Sequence, residues 1–245
     1  MNNEPISTEP YKGVRDFYPE EARVQDYIFS VWTKTAESFG YLKYNASVLE
    51  PAELYRTKGA VNAELVNDQT YTFTDRGNRE VTLRPEMTPT AARLIAGRQK
   101  ELAFPVRWYA LPNLFRYERP QKGRLREHWQ FNCDIFGSNH ITADIEIIQL
   151  AYHTLINFGA TPEDFVIKIN DRALMDRIYT AIGLQSEQIA SLSSLNDKKD
   201  KISEEEYHTA LTAITQDETL SEEVKLIINN TDEETDVTIG LSELG

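Results

Sequence analysis

An α+β fold is the class this sequence predicts, and three features point to it. A long run of helical periodicity opens the chain. Paired alternating segments joined by short turns follow, and a further helical run closes that block. This order suits antiparallel strands flanked by helices better than the regular strand–helix alternation of a doubly wound parallel sheet. With 245 residues, 40% of them apolar and 27% charged, the chain can bury a sizeable core. No apolar run approaches the roughly 20 residues that a membrane span needs. The opening Met1-Asn2-Asn3-Glu4-Pro5 has neither a basic nor an apolar leader segment. A single cysteine, Cys133, excludes an internal disulfide, and the chain reads as cytoplasmic.

Residues 1–18 form a polar lead-in ending in Tyr11-Lys12-Gly13-Val14-Arg15-Asp16. Pro19 opens a helix, with Glu20 and Glu21 in its first turn, where negative charge suits the helix dipole. Val24, Tyr27, Ile28, Val31, Trp32 and Phe39 fall at helical spacing, and Gly40 ends the run. Tyr41–Pro51 reads as a strand or extended segment. The stretches 70–74 and 79–83, joined by Asp75-Arg76-Gly77-Asn78, predict a hairpin. Thr88 is placed as an N-cap and Pro89 as a first-turn proline of a helix running to about Arg98.

Two strands are predicted next, roughly Arg107–Glu118 and Glu127–Phe136. A helix over about Thr142–Phe158 follows, with Ile147, Ile148, Ala151, Tyr152 and Leu155 facing a core. Phe165–Ile169 is expected to be a short strand and Arg172–Ile182 another helix. Beyond Leu184 the composition turns to Ser, Glu, Asp and Lys, which sets a domain boundary between 1–184 and a more exposed, acidic helical segment over 185–245. Charge follows the same division. Of the net −13, residues 196–245 carry −10, from 14 acidic and 4 basic side chains, leaving −3 for the rest. Within that nearly neutral body, residues 116–127 reverse the sign, with five Arg or Lys against two Glu. A broad nucleic-acid-binding surface is not supported by this balance, whereas a local polyphosphate grip is compatible with it.

The two strands around that basic loop carry the chemistry. Arg116 and Glu118 share one side of the first strand, opposite Tyr109, Leu111, Phe115 and Tyr117. In the second, Trp129, Phe131, Cys133 and Ile135 make an apolar face, and Gln130, Asn132 and Asp134 line up on the other. Three polar side chains in a row imply a wet cavity or a solvated sheet face. The loop Arg119-Pro120-Gln121-Lys122-Gly123-Arg124-Leu125-Arg126 is either a solvated tip or a phosphate grip. Joined to Arg116 and Glu118, nucleotide binding is the better reading, because a guanidinium holds phosphate oxygens through two parallel hydrogen bonds.

These residues carry a resemblance. Phe115-Arg116-Tyr117-Glu118-Arg119-Pro120-Gln121-Lys122-Gly123-Arg124, with Arg126-Glu127 and Gln130, resembles motif 2 of the histidyl-tRNA synthetases. Leu83-Arg84-Pro85-Glu86-Met87-Thr88 is similar to the family's Leu-Arg-Pro-Glu-x-Thr segment. Gly13-Val14-Arg15-Asp16-Phe17-Tyr18-Pro19 resembles its N-terminal entry, and Pro19 through Glu50-Pro51 resembles motif 1. The resemblance runs in order from Met1 to about Gly159. It implies a class II aminoacyl-tRNA synthetase-like antiparallel sheet flanked by helices, with residues 1–184 as an incomplete catalytic core and 185–245 as an insertion-like segment.

The implied activity is that of a histidine–tRNA ligase, which activates histidine with ATP and passes the histidyl group to tRNA(His). The resemblance assigns Arg116 to the α-phosphate and the attacking carboxylate, Glu118 to the adenine amino group, and Arg124 to the β/γ end of the triphosphate, with Arg126 assisting. Glu86, Thr88 and Gln130 would hold the histidine α-ammonium. Asp134 stands where many members have a glutamate facing the imidazole. Magnesium would bridge the phosphates, with no dedicated protein ligand readable. A homodimer through the motif 1 region is implied as well, and no editing domain is expected, because a site that hydrogen-bonds its substrate rejects analogues lacking the group.

His128, His140, His153 and His208 show no metal-ligand spacing, so no protein metal site is expected. Cys133 reads as a small core residue. The family's second arginine loop, motif 3 and anticodon-binding domain are not found in this sequence, so it is expected to be an N-terminal portion with weak or no activity alone. A non-catalytic, histidine-binding regulatory subunit of ATP phosphoribosyltransferase is the rival reading, and retention of Arg116, Glu118 and Arg124 together argues against it.

Overall fold

The computed structural model describes residues 7–56, 69–119, 123–169, 171–196, 199 and 202–232. It divides into two compact units, Met1–Ile167 and Lys168–Gly245. The first unit is α+β, as the sequence predicts. Helix α1, Pro19–Ser38, starts at Pro19 with Glu20 and Glu21 in its first turn and stops before Gly40, whose φ of +79° a side chain would resist. It buries Val31, Thr35 and Ala36. Trp32 stacks on Phe131 with ring centroids 5.5 Å apart, while Val24 and Tyr27 stay exposed.

The strands form three small sheets. In the first, β1 (Leu42–Lys43) runs parallel to β5 (Val106–Ala110), and β5 runs antiparallel to β8 (Asn132–Phe136). In the second, β2 (Leu49–Pro51), β4 (Glu80–Leu83) and β3 (Tyr71–Thr74) lie antiparallel in that order. The β3–β4 turn is held by Asp75, whose Oδ1 accepts from the amides of Gly77 and Arg79 at 2.8 and 2.9 Å. The third sheet is the hairpin of β6 (Asn113–Phe115) and β7 (Glu127–Trp129). Short helix α2 (Glu53–Arg56) and α3 (Thr88–Arg98) flank the second sheet's strands in sequence.

The two long strands predicted around the basic loop are therefore each broken. The breaks fall at Leu111-Pro112 and Gln130-Phe131. Proline cannot donate to a ladder, but the Pro112 carbonyl still accepts from the Gln130 amide at 3.1 Å, so the register carries across. Three of the four residues of the predicted apolar face, Phe131, Cys133 and Ile135, join Leu111 and Tyr109 in one core with Ala36, Tyr41 and Leu150, while Trp129 packs edge-on against Phe17 with ring centroids 5.3 Å apart. Helix α4, Ile141–Asn157, closes that core and begins at His140, whose ring accepts from the Thr142 amide at 3.3 Å. Its buried stripe is shifted from the predicted one. Leu150 and Thr154 are buried, whereas Ala151 and Leu155 lie outside. Two polar ties set this rotation: Arg107 on β5 donates to both carboxylate oxygens of Glu146 at 2.7 and 2.8 Å, and Asn157 donates to Thr35 at 2.8 Å.

Two further expectations change. Phe165–Ile169 forms no strand among the described residues, and Val166 and Ile169 are exposed. A short apolar run is a strand only when a neighbour supplies its ladder partners. The second unit is more than an exposed helical tail. It comprises α5 (Arg172–Ala181), α6 (Ser186–Asn196), α7 (Glu204–Thr215) and α8 (Glu218–Asp232). Behind polar surfaces, acidic on α7 and α8, they hold a core of their own, in which Leu192, Leu211 and Val224 are fully enclosed. Tyr179 and Leu184 belong to this core, so the break in compactness lies at 167/168 and not at 184/185. Composition changes later than packing does, because α5 uses its single apolar stripe to reach α6.

Truncating the centre of that core should be costly. Leu211→Ala is expected to lose about 2–5 kcal/mol in urea unfolding followed by far-ultraviolet circular dichroism. A loss below about 1 kcal/mol, the level of an ordinary surface change, would mean the bundle core is not formed as described.

Candidate active site

The site begins with two buried charges that sequence reading passed over. Arg84, at the exit of β4, is 3% exposed. Its Nε donates to the Asn113 carbonyl at 3.0 Å, Nη2 to Asn113 Oδ1 at 3.1 Å, and Nη1 to the Ala46 carbonyl at 3.0 Å. Its own amide donates to Val48, and its carbonyl accepts from Phe115. Glu50, on β2, is equally buried and accepts from Arg93 at 2.6 Å and Thr90 at 3.1 Å, both on α3. Tyr55 extends the network to Thr90 at 3.0 Å. Together these bonds fix the turn 84–88 between the second sheet and the β6–β7 hairpin. A charged residue within an otherwise apolar strand end was the signal available in the sequence.

Glu86 projects from that turn, half-buried. Burial pushes its carboxyl up, and the Arg116 guanidinium nearby pulls it back. Thr88 is the first residue of α3 and exposed. The cap position falls on Met87, one residue earlier than predicted, and no side chain caps the helix there. The Thr88 hydroxyl is thus not consumed as a cap.

Arg116 follows β6 directly. Its Nε donates to the Pro85 carbonyl at 3.0 Å, which ties the hairpin to the Glu86 turn, and its amide donates to the Arg126 carbonyl at 2.9 Å. His128 lies close enough that burial first, and then Arg116, push its imidazole down. The register pairing Leu114 with His128 places Gln130 two residues farther along the same face as Arg116. Glu118, next beyond Arg116 on the hairpin, is 12% exposed and forms an ion pair with the exposed Arg124, Nε to Oε2 at 2.9 Å.

Arg126 is placed differently from the others. At 8% exposure it is nearly enclosed, with Nε donating to the Glu118 carbonyl at 3.0 Å and Nη1 to Tyr11 Oη at 3.0 Å and the Lys12 carbonyl at 3.3 Å. Its guanidinium lies over the Tyr117 ring at 4.1 Å. Pro120, Gln121 and Lys122 of the basic loop lie outside the described residues.

Asp134 sits on β8 opposite Trp108, on the face turned away from the Cys133–Tyr109 core. Asn132 shares that face by alternation. Burial pushes the Asp134 carboxyl up, and its Oδ2 and the Asn132 Oδ1 are enclosed without a hydrogen-bond partner in the structure. Tyr44 joins them: its ring lies 5.2 Å from Trp108, its hydroxyl is likewise enclosed, and burial raises the phenol. On the Tyr44–Trp108 side a cavity of about 400 Å³ opens towards Arg93 and Leu94 of α3. None of the sequence-predicted site residues lines it. In chemical terms the hairpin offers the Arg124–Glu118 pair and Arg116, the turn offers Glu86 within the field of Arg116, and the first sheet offers a half-buried acid with spare acceptor capacity. Among the described residues, one group spaced for a metal ion also occurs, His208, Glu218 and Glu222 in the second unit, where Lys225 already pairs with Glu222 at 2.8 Å. Ten residues separate His208 from Glu218, a spacing that sequence inspection of the histidines does not flag.

The raised acid gives a pH signature. The native state keeps the Asp134 proton at pH values where the unfolded chain, with its ordinary value of 3.8, has released it. Stability therefore falls as pH climbs through this window. Asp134→Asn is expected to be more stable than the parent at pH 7 in urea unfolding, with the difference closing by about pH 3. A gain of equal size at both pH values would contradict this origin.

Comparison with known proteins agrees with these features. Residues 13–236 match the family model described as histidyl-tRNA synthetase. The histidine–tRNA ligase of Leptospira biflexa is 42% identical over 233 residues, covering 94% of this chain and 53% of that protein. The chain therefore spans about half the length of that curated relative. Among solved structures, histidyl-tRNA synthetase from Nostoc sp. PCC 7120 shares the fold with a TM-score of 0.76 at 22% identity, over 90% of this chain and 48% of that one. The Bacillus halodurans protein described as an ATP phosphoribosyltransferase regulatory subunit/histidyl-tRNA synthetase superposes with a TM-score of 0.57 at 23% identity, over 90% of this chain and 66% of that one. The hairpin arginines, the Arg84–Glu86 turn and the extent of the sequence match lead to one assignment: this chain belongs to the histidyl-tRNA synthetase family.

Proposed function

We propose that the chain supplies the ATP- and histidine-gripping part of a histidine–tRNA ligase. The observation that supports this best is Arg116, bonded to the Pro85 carbonyl between the Glu86 turn and the Glu118–Arg124 hairpin. In that place one guanidinium can contact both an amino-acid carboxylate and the α-phosphate of MgATP. The carboxylate oxygen of histidine attacks the α-phosphorus, the bond to the β-phosphate breaks, and pyrophosphate leaves with the electron pair. No proton is moved in this step, so the site needs alignment and charge neutralisation more than a general base. Transfer of the histidyl group to the 3′ end of tRNA(His) then releases AMP.

In this reading Arg116 steadies the α-phosphate, Glu118 meets the adenine amino group and Arg124 the β/γ end. Their ion pair keeps both side chains at the hairpin until the nucleotide replaces it. Glu86, Thr88 and Gln130 receive the α-ammonium, and Asp134 the imidazole, for which its enclosed and unpartnered oxygen is suited. Magnesium arrives with the phosphates, since it keeps waters and takes few protein carboxylates. The exposed Val24 and Tyr27 on α1 fit pairing of two copies through that helix. A cytoplasmic location accords with a tRNA substrate.

The regulatory-subunit reading differs in its need for ATP. Arg116→Ala should weaken ATP binding by about tenfold to a hundredfold, the weight of a charge-assisted hydrogen bond, in an equilibrium titration. Histidine-dependent pyrophosphate exchange should fall with it wherever the parent shows exchange. Histidine binding by a parent chain without any ATP affinity would favour the regulator instead.

A further inference from the structure

The family resemblance sends Arg126 to the phosphates, yet its contacts give it another task. We propose that Tyr11, Lys12 and Gly13 form a strut that acts through Arg126 to position the nucleotide side of the site, without touching the nucleotide. This rests on the ATP reading above.

Arg126 is the joint. Towards the hairpin, its carbonyl accepts from the Arg116 amide at 2.9 Å, and its Nε donates to the Glu118 carbonyl at 3.0 Å. One residue thus fixes the backbone at two of the three positions whose side chains face ATP in the proposed reading, Arg116 and Glu118. Towards the lead-in, its amide donates to the Gly13 carbonyl at 2.6 Å, and its Nη1 reaches Tyr11 Oη and the Lys12 carbonyl. Gly13 turns the chain at a φ of +89°, where any side chain would be strained. The guanidinium carbon lies 4.1 Å from the centre of the Tyr117 ring and 5.6 Å from that of Tyr11. Such stacking and forked donation need arginine, because the lysine ammonium has neither the plane nor the second nitrogen. With these donors engaged and only 8% exposure, Arg126 is a positioning residue.

Most of the histidine side is carried by other parts. Glu86 and Thr88 follow β4 and open α3, held through Arg84 and Glu50, and Asp134 belongs to the first sheet, while Gln130 and the carboxylate contact of Arg116 stay on the hairpin. The strut should therefore act more on ATP than on histidine. Tyr11 suits a test because it is more than half exposed, and the Arg126 Nη1 that loses its hydroxyl keeps the Lys12 carbonyl, so the core stays intact.

The experiment compares the parent chain with Tyr11→Phe and Arg126→Lys in separate titrations with MgATP and with histidine, together with hydrogen exchange over residues 114–118. Both variants are expected to bind ATP about fivefold or more weakly, the weight of one hydrogen bond, with a clearly smaller loss of histidine affinity. Exchange over 114–118 should quicken. ATP affinity equal to the parent's in both variants overturns the strut. Equal losses for ATP and histidine overturn it too, as general loosening. A parent chain that binds no ATP removes the underlying reading instead, which the parent titration alone reveals.

Discussion

A guanidinium withdrawn from water must find an acceptor for its donors, and Arg84 sets that condition for the first unit. Its fork takes the carbonyls of Ala46 and Asn113 and the side chain of Asn113, which belong to segments far apart in sequence. Desolvation lowers its affinity for the proton, and among the described residues its side-chain bonds go to carbonyl oxygens and the Asn113 amide oxygen. The compensation is therefore a set of fixed carbonyl dipoles, which works only if the loop before β2, the exit of β4 and the start of β6 keep their relative positions. The Glu86 turn and the hairpin inherit their spacing from that requirement. Glu50 repeats the device with opposite sign, binding α3 through Arg93 and Thr90.

From this frame the two sides of the site follow separately. The Arg116 bond to Pro85 makes the hairpin continuous with the turn that bears Glu86. Asp134 instead belongs to a sheet whose other face is the apolar core under α1 and α4. One strand pair thus serves two solvents: Cys133 and Ile135 face a dry interior, while Asn132 and Asp134 face the polar side. Period-two alternation is what lets a single five-residue strand do both.

That alternation is also why much of this was legible in the sequence. The apolar face Phe131-Cys133-Ile135, the helix from Pro19 and the β3–β4 turn rest on local rules, and the structure keeps them. What was not legible depends on partners distant along the chain. Val166 and Ile169 have the composition of a strand, but composition supplies no ladder partner. The stripe of α4 turned because Arg107 and Asn157 fixed its azimuth, and neither tie shows in helical periodicity. The second unit's core was hidden for a related reason. Its outer residues are polar, and acidic on the last two helices, so the enclosed Leu192, Leu211 and Val224 weigh little in the composition. Arg126 shows the limit for sites: a motif position fixes a residue's identity, while the donors it has left for a ligand depend on what else it meets.

The arginines around the site can be sorted by that last criterion. Arg84 and Arg126 are almost enclosed and donate to protein carbonyls, so exchanging those partners for phosphate oxygens would require breaking bonds that the fold itself uses. Arg124 is 59% exposed, and its ion pair is with Glu118, whose side chain is only 12% exposed. Water reaches the guanidinium end of this pair, so Arg124 can turn towards an anion without breaking a bond to the backbone. Arg116 stands between these cases, with a bond to Pro85 that sets its direction and further donors on the same fork. A cation meant to meet a transient charge must be aimed before the substrate arrives yet still have donors to offer. Of these four, Arg116 satisfies both conditions through its own contacts, which supports the role proposed for it on physical grounds independent of any motif.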